Sequence, residues 1–423
     1  VTPVEHQAPV EDQAPVEHQA PVKHQGHLPG TTEYRRVLTA LFAAGIATFV
    51  LLYDTQALLP DLVHAFHVSP AQSTLSVSAT TVGLALALLV FGPLSEALGR
   101  TVLIRFSMAA SAVLAVACAA APSWESLIVL RLLAGVALAG LPAVATAYLR
   151  EEMHPSAQAR AAGLYIGGTA IGGMAARLVT APIAEAAGWR WALLTAAGVS
   201  AVCAVIVAVT LPPSRHFAAT RLRGRTVLAM QRRALADPAL LALYALGACA
   251  VGALVAVFNA VGFRLTSAPF HLGVGLVSLI FLTYSLGTVS STVSGRLADK
   301  LGRRAIAPFG CAVAFGGVLL TLTRSLPVVI VGIGALTIGF FAVHGLASGW
   351  VTARSHASGA SPSQAAAFYL FSYYVGSSVF GSLGGRAWSA DGWPGVVTVA
   401  GSLLGIAGVL ALTLRRIPAL VAR

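Results

Sequence analysis

Beyond Arg36 the chain is a succession of apolar stretches about as long as a bilayer is thick, parted by short polar breaks. A helix needs about 20 predominantly apolar residues to cross the hydrocarbon core. The pattern predicts twelve such spans, at 37–59, 72–94, 101–121, 125–148, 161–184, 190–210, 239–262, 274–297, 305–323, 326–351, 365–385 and 394–414. Composition points the same way: 57% of the 423 residues are hydrophobic and 10% charged, against about a quarter charged in soluble domains. So few charges cannot supply a solvated surface. Disorder, collagen and small disulfide scaffolds are excluded as well, and a polytopic all-α membrane protein is expected.

Its 27 basic and 15 acidic side chains give a formal charge of +12, and the placement of that charge sets the orientation. Basic loops stay on the cytoplasmic side. With the N-terminus inside, inner loops and ends hold about 20 arginines and lysines and outer loops about 4, namely Arg190, Arg264, Arg324 and Arg386. The alternation runs loop by loop, so both termini are expected to be cytoplasmic. The longest polar break, 211–238, carries six arginines and separates the sixth span from the seventh. It divides the chain into a tail at 1–35, a six-helix half at 36–210, a basic cytoplasmic linker at 211–238, a second half at 239–416 and a short cytoplasmic tail at 417–423.

The N-terminal tail repeats a hexapeptide close to PVEHQA. A proline every sixth residue and few bulky side chains cannot build a core, so disorder is expected there. Cys118, Cys203, Cys249 and Cys311 each fall in a different apolar segment without a CxxC pair, and they read as small buried hydrophobes. Neither a disulfide framework nor a metal site is expected.

The two halves resemble each other. Gly92-Pro-Leu-Ser-Glu96-Ala-Leu-Gly99-Arg100 follows the second span, and Gly295-Arg-Leu-Ala-Asp299-Lys-Leu-Gly302-Arg303 follows the eighth. Tyr165, Gly167, Gly172 and Arg177 of the fifth span align with Tyr374, Gly376, Gly381 and Arg386 of the eleventh. Paired six-span repeats suit a transporter that rocks around a central site.

These residues resemble the major facilitator superfamily from about 36 to 416. GPLSEALGR and GRLADKLGRR look like its loop signature between spans two and three and between eight and nine. Ala97 and Thr101 stand where basic residues are usual, so the first copy is expected to close the inner side less firmly. LIVLRLLAG at 127–135 is similar to the fourth-span motif of proton-linked members, with Arg131 in place and Ala134 where glutamine is typical. Stretches such as LLYDTQALLPDL at 51–62 and GFFAVHGLASGWV at 339–351 look like a bacterial inner-membrane branch of arabinose-efflux-like permeases and drug:proton antiporters. The fifth span departs from the antiporter motif by lacking its Gly-Pro pair. The resemblance implies twelve transmembrane helices in two pseudo-symmetric halves. It also implies an inner gate formed by Gly92, Glu96, Gly99, Arg100, Gly295, Asp299, Gly302, Arg303 and Arg304.

Ionisable groups inside a bilayer are costly and mark function. Asp54 is the one acid clearly within a span, about 9 Å from its outer end at 1.5 Å per residue. Arg131 enters the fourth span from the same side to a similar depth. A contact between them that breaks and re-forms would let Asp54 take and release a proton; the alternative is a static salt bridge. Arg177, in the outer half of span five, could hold an anionic substrate group, pair with Asp54, or snorkel. His344 either titrates or hydrogen-bonds between helices. Tyr53, Gln56, Tyr165, Asn259, Tyr373 and Tyr374 are uncharged candidates for a cavity lining.

The sequence holds no GxxxxGK[ST] phosphate loop, HExxH or GxSxG, so neither an ATP-driven pump nor a hydrolase is expected. Scattered arginines are no nucleic-acid patch. A secondary transporter remains, read as a proton-coupled exporter of small organic compounds. It is expected to be monomeric, without cofactor, catalytic residues or metal, in the bacterial inner membrane. A sugar or metabolite uniporter or importer of the same fold, and a sensor that binds without transporting, are the alternatives.

Overall fold

A computed structural model describes residues 26–214 and 224–417. In chain order the helices are α1 (Thr32–Tyr53), α2 (Leu59–Phe66), α3 (Pro70–Ser73), α4 (Leu75–Leu98), α5 (Arg100–Ala119), α6 (Trp124–Leu138), α7 (Gly140–Glu152), α8 (Pro155–Ala187) and α9 (Trp189–Thr210). After α10 (Gly224–Ala236) come α11 (Pro238–Thr266), α12 (Val274–Ser278), α13 (Tyr284–Leu301), α14 (Arg303–Leu320), α15 (Leu326–Ser358) and α16 (Pro362–Arg416). Short 3₁₀ turns, Gln56–Leu58 and Leu279–Thr283, join α1 to α2 and α12 to α13. No strand occurs among the described residues, only an isolated bridge between His27 and Met153.

Among the described residues, ten helices are long and apolar enough to cross a membrane. One of them, α16, is two helices meeting at Gly392, where the backbone leaves helical values, and α8 adds a further 33-residue segment. The described residues thus hold the twelve expected membrane-length segments. Their ends differ from those read in the sequence. The first span was expected at 37–59, but helical structure runs from Thr32 to Phe66 with one break at Asp54 and Thr55. Pro60 occupies the first turn of α2, where its missing N–H has no intrahelical partner to lose. The fourth span breaks between α6 and α7 at Ala139, because Pro142 cannot donate back to the preceding turn.

Helix pairs cross at glycine. A Cβ on Gly135 would fall inside any allowed distance of the Thr80 carbonyl oxygen, and one on Gly83 inside that of Leu132. The same device joins α1 to α8, where a Cβ on Gly172 would lie 2.5 Å from Ile46 O, and α11 to α16, where one on Gly376 would lie 2.5 Å from Ala248 O. Small residues let backbones approach and gain dispersion contacts, the main attraction left where lipid is as apolar as the protein. Gly167, aligned with Gly376 by the repeat, faces open space instead, and Gly168 makes the contact with Phe42. All four cysteines are buried and free.

One end of the bundle gathers the arginines. Arg36 donates to Val209 O, Arg105 to Leu211 O and Arg304 to Ile417 O, while Arg354 pairs with Asp237 at 2.8 Å. Residues 26–31, expected within a disordered tail, are held at this arginine-rich face, since His27 N donates to Glu152 O and His154 N to His27 O. The PVEHQA repeat at 1–25, residues 215–223 of the arginine-rich linker and residues 418–423 lie outside the described residues.

Candidate functional site

The break after Tyr53 creates the first part of the site. An uninterrupted helix would spend the carbonyls of Leu51 and Leu52 on N–H groups four residues ahead. The 3₁₀ turn leaves them available, and Arg131 of α6 takes them, donating from Nη1 to Leu51 O at 3.1 Å. The same nitrogen meets Asp54 Oδ1 at 2.7 Å, Nε donates to Ser76 O at 3.0 Å, and Nη2 reaches Thr55 Oγ1 at 3.4 Å. One guanidinium therefore ties together the first, second and fourth spans. Asp54 and Arg131 are 2% and 1% exposed. Helical structure continues beyond Asp54 to Phe66.

Arg177 of α8 forms the second part and is fully buried. Of the two partners weighed in the sequence, Asp54 belongs to Arg131. Arg177 donates from Nε to Gln56 Oε1 at 2.7 Å and from Nη1 to its own helix at Gly173 O. Arginine can only donate, which fixes the orientation of the Gln56 amide; its Nε2 then donates to Asn259 Oδ1 at 2.6 Å. The guanidinium carbon lies 4.3 Å from the Tyr53 ring centroid, 4.8 Å from that of Tyr284 and 4.9 Å from that of Phe281. Arg177 Nη2 and Asn259 Nδ2 are buried without a hydrogen-bond partner. This chain of contacts joins spans one and five to spans seven and eight, across the seam between the halves.

His344 shares a 2.8 Å hydrogen bond with the Tyr369 hydroxyl, linking α15 to α16. Its ring stacks on Phe340 and lies 4.8 Å from Tyr373, which meets Tyr374 edge-on at 5.1 Å. That is the helix-to-helix arrangement weighed against titration. Tyr374 shares a core with Tyr53, whereas Tyr165 packs half-buried in the core nearer the arginine-rich face and joins neither charged group.

Away from the arginine-rich face, hydroxyls close the seam. Thr81 and Ser378 are bonded at 2.6 Å, Ser78 and Ser382 at 2.8 Å, and Ser78 donates to Ser378 O at 3.0 Å. Glu185 accepts from Gly275 N at 2.8 Å. A Cβ on Gly92, Gly163, Gly167, Gly295 or Gly349 would meet nothing within 4 Å.

The loop signatures turn at glycines with φ of 90° at Gly99 and 85° at Gly302, values a side chain would strain. Arg100 binds Glu96 at 2.6 Å and Glu151 at 2.8 Å, with Ser95 as a further acceptor. Arg303 donates only to Gly349 O, at 3.2 Å, and among the described residues Asp299 pairs with neither Arg303 nor Arg304. Among the described residues the first copy holds the denser charge network, because α7 brings Glu151 to it.

Several of these residues escaped the sequence reading. Phe281 and Tyr284 look like ordinary span residues, and nothing in their spacing ties them to Arg177. The hydroxyl run STLSVSATT at 73–81 was a usable signal: Ser73, Thr74, Ser76, Ser78, Thr80 and Thr81 are all buried, as expected of a face turned toward other helices.

A helical bundle with two six-span halves and charges buried beside their seam defines a membrane transporter. The family model described as Major Facilitator Superfamily matches residues 37–385, and the chain belongs to that family. It is 42% identical to the uncharacterized MFS-type transporter YybF of Bacillus subtilis, covering 87% of this chain and 90% of that one. It is 38% identical to the inner membrane transport protein YnfM of Escherichia coli over 92% of each. Among solved structures, a bacterial homologue of the human lysosomal transporter Spinster, inward-facing and occupied, superposes with a TM-score of 0.71 at 16% identity, covering 92% of this chain and 98% of the other. A mutant of the nucleoside transporter NupG gives 0.69 at 14% identity, covering 90% and 99%. At such identities the likeness concerns the fold.

Proposed function

We propose that this membrane transporter is a proton-coupled exporter of small organic compounds that works by alternating access as a monomer in the bacterial inner membrane, with the arginine-rich face cytoplasmic. The Asp54–Arg131 pair carries the reading. It is buried on both sides, with side chains 3% and 2% exposed, whereas Glu96 and Glu151 beside Arg100 are 30% and 27% exposed. A carboxylate kept from water beside a helix break suits a proton carrier, because a small movement of α2 and the turn changes its partners. The hydroxyl seam supports a state closed on the outer side, and the Arg100 network, by resemblance, re-forms part of the gate on the inner side. Export of a compound panel from cells lacking their own pumps, with and without an uncoupler, tests the proposal. At least one compound is expected to leave the cells in an uncoupler-sensitive way; only uncoupler-insensitive movement would favour the uniporter, and none at all the sensor.

The seam offers a second test. With Thr81→Cys and Ser378→Cys together, mild oxidation should join the halves and cut export about tenfold or more, by removing the outward-open state. A thiol reductant should restore it. Full export from cross-linked protein would show that this seam need not open.

A further inference from the structure

We propose that Arg177 binds the charged group of the transported compound, so that the substrates are small organic oxyanions, with a monocarboxylate as the best fit. The inference rests on the transporter reading. Arg177 is fully buried, and among the described residues no carboxylate pairs with it. Its contacts are neutral: the Gln56 amide, the Gly173 carbonyl and three aromatic rings. A buried cation is strongly disfavoured without a counter-charge, and Asp54 already faces Arg131. The rings, the two acceptors and the neighbouring Tyr284 hydroxyl make the position tolerable, yet Nη2 makes no hydrogen bond of its own. Asn259 Nδ2, further along the same hydrogen-bonded chain, is an unpartnered donor too.

The chemistry of the free group names the ligand. The unpartnered Nη2 of Arg177 offers N–H donors and no acceptor, which suits an anionic oxygen, and a single positive charge matches a single negative one. A doubly charged phosphate would bring one charge too many into the same dry site. Tyr53 and Gln56 belong to one half, Phe281 and Tyr284 to the other, and Tyr284 is only half-buried. An anion bound here touches both halves. Its affinity must then differ between states in which the halves separate at this level and states in which they do not, as coupling binding to rocking requires.

The test is binding to the purified full chain in lipid nanodiscs without any gradient, titrating benzoate, benzamide, benzylamine and phenyl phosphate against intrinsic tryptophan fluorescence and the thermal midpoint. Benzoate is expected to bind at least about tenfold more tightly than benzamide, and Arg177→Gln to erase that difference. Arg177→Lys, which keeps the charge but not the guanidinium, should retain part of it and decides the matter if the glutamine variant does not fold. Equal binding of benzoate and benzamide, preference for benzylamine, no response to any probe, or an unchanged preference in Arg177→Gln would overturn the proposal. Tighter binding of phenyl phosphate than of benzoate would overturn the monocarboxylate assignment. No transport or proton movement is measured, so a failure of coupling leaves this result untouched.

Discussion

Asp54→Asn is expected to abolish uncoupler-sensitive export while leaving expression and monodispersity near those of the parent. A proton crossing 100 mV carries about 2.3 kcal/mol, which corresponds to about a fiftyfold concentration ratio. A coupled exporter sustains a gradient of that order, and the asparagine variant should let it collapse to about unity. The fold should survive. Removing one partner of a buried ion pair commonly costs about 3–5 kcal/mol, but asparagine keeps an oxygen facing Arg131, whose Nη1 and Nε also hold Leu51 O and Ser76 O. Export from inverted vesicles under an imposed pH gradient, compared with size-exclusion profiles of the two proteins, separates the possibilities. Unchanged gradient-driven transport in Asp54→Asn would reduce the pair to a structural salt bridge.

Gly135→Val should be far more damaging to the fold than to any single chemical step. The Gly135 backbone meets the Thr80 carbonyl so closely that no Cβ fits, and the neighbour is backbone, which cannot swing aside as a side chain would. Overpacking in a core typically costs about 1–3 kcal/mol and sometimes more, and here two spans must separate along their length. Loss of the monodisperse peak in fluorescence-detected size exclusion is the expected result. Gly198→Val supplies the control: it also places valine on a membrane helix, at a glycine with nothing within 4 Å. If both variants elute like the parent, the second and fourth spans do not cross as closely as described.

How much of this was legible in the sequence depended on what kind of signal each residue gives. Asp54 and Arg131 stood out because a charge in an apolar run is expensive, and expense is readable one residue at a time. That Arg131 rather than Arg177 takes Asp54 was not readable, since it depends on a 3₁₀ turn that exposes Leu51 O. The end of the first span, expected at 59, was not readable either, because Pro60 lies in the first turn of a helix that runs to Phe66. The aromatic neighbours of Arg177 left no trace, because phenylalanine and tyrosine fill spans everywhere and three-dimensional adjacency across spans eight and five has no fixed spacing. The repeat was legible as a loop pattern, yet it concealed an asymmetry. Glu151 reaches Arg100, and nothing comparable reaches Arg303 among the described residues.

Arg131 draws on main-chain oxygens as well as on Asp54, so discharge of the carboxylate removes its counter-charge but leaves it tethered to Leu51, Leu52 and Ser76. Under the proposed proton coupling, the moving part is expected to be the short α2 segment and its turn, with Arg131 held by its main-chain contacts. Span four would serve as a fixed post against which that segment swings.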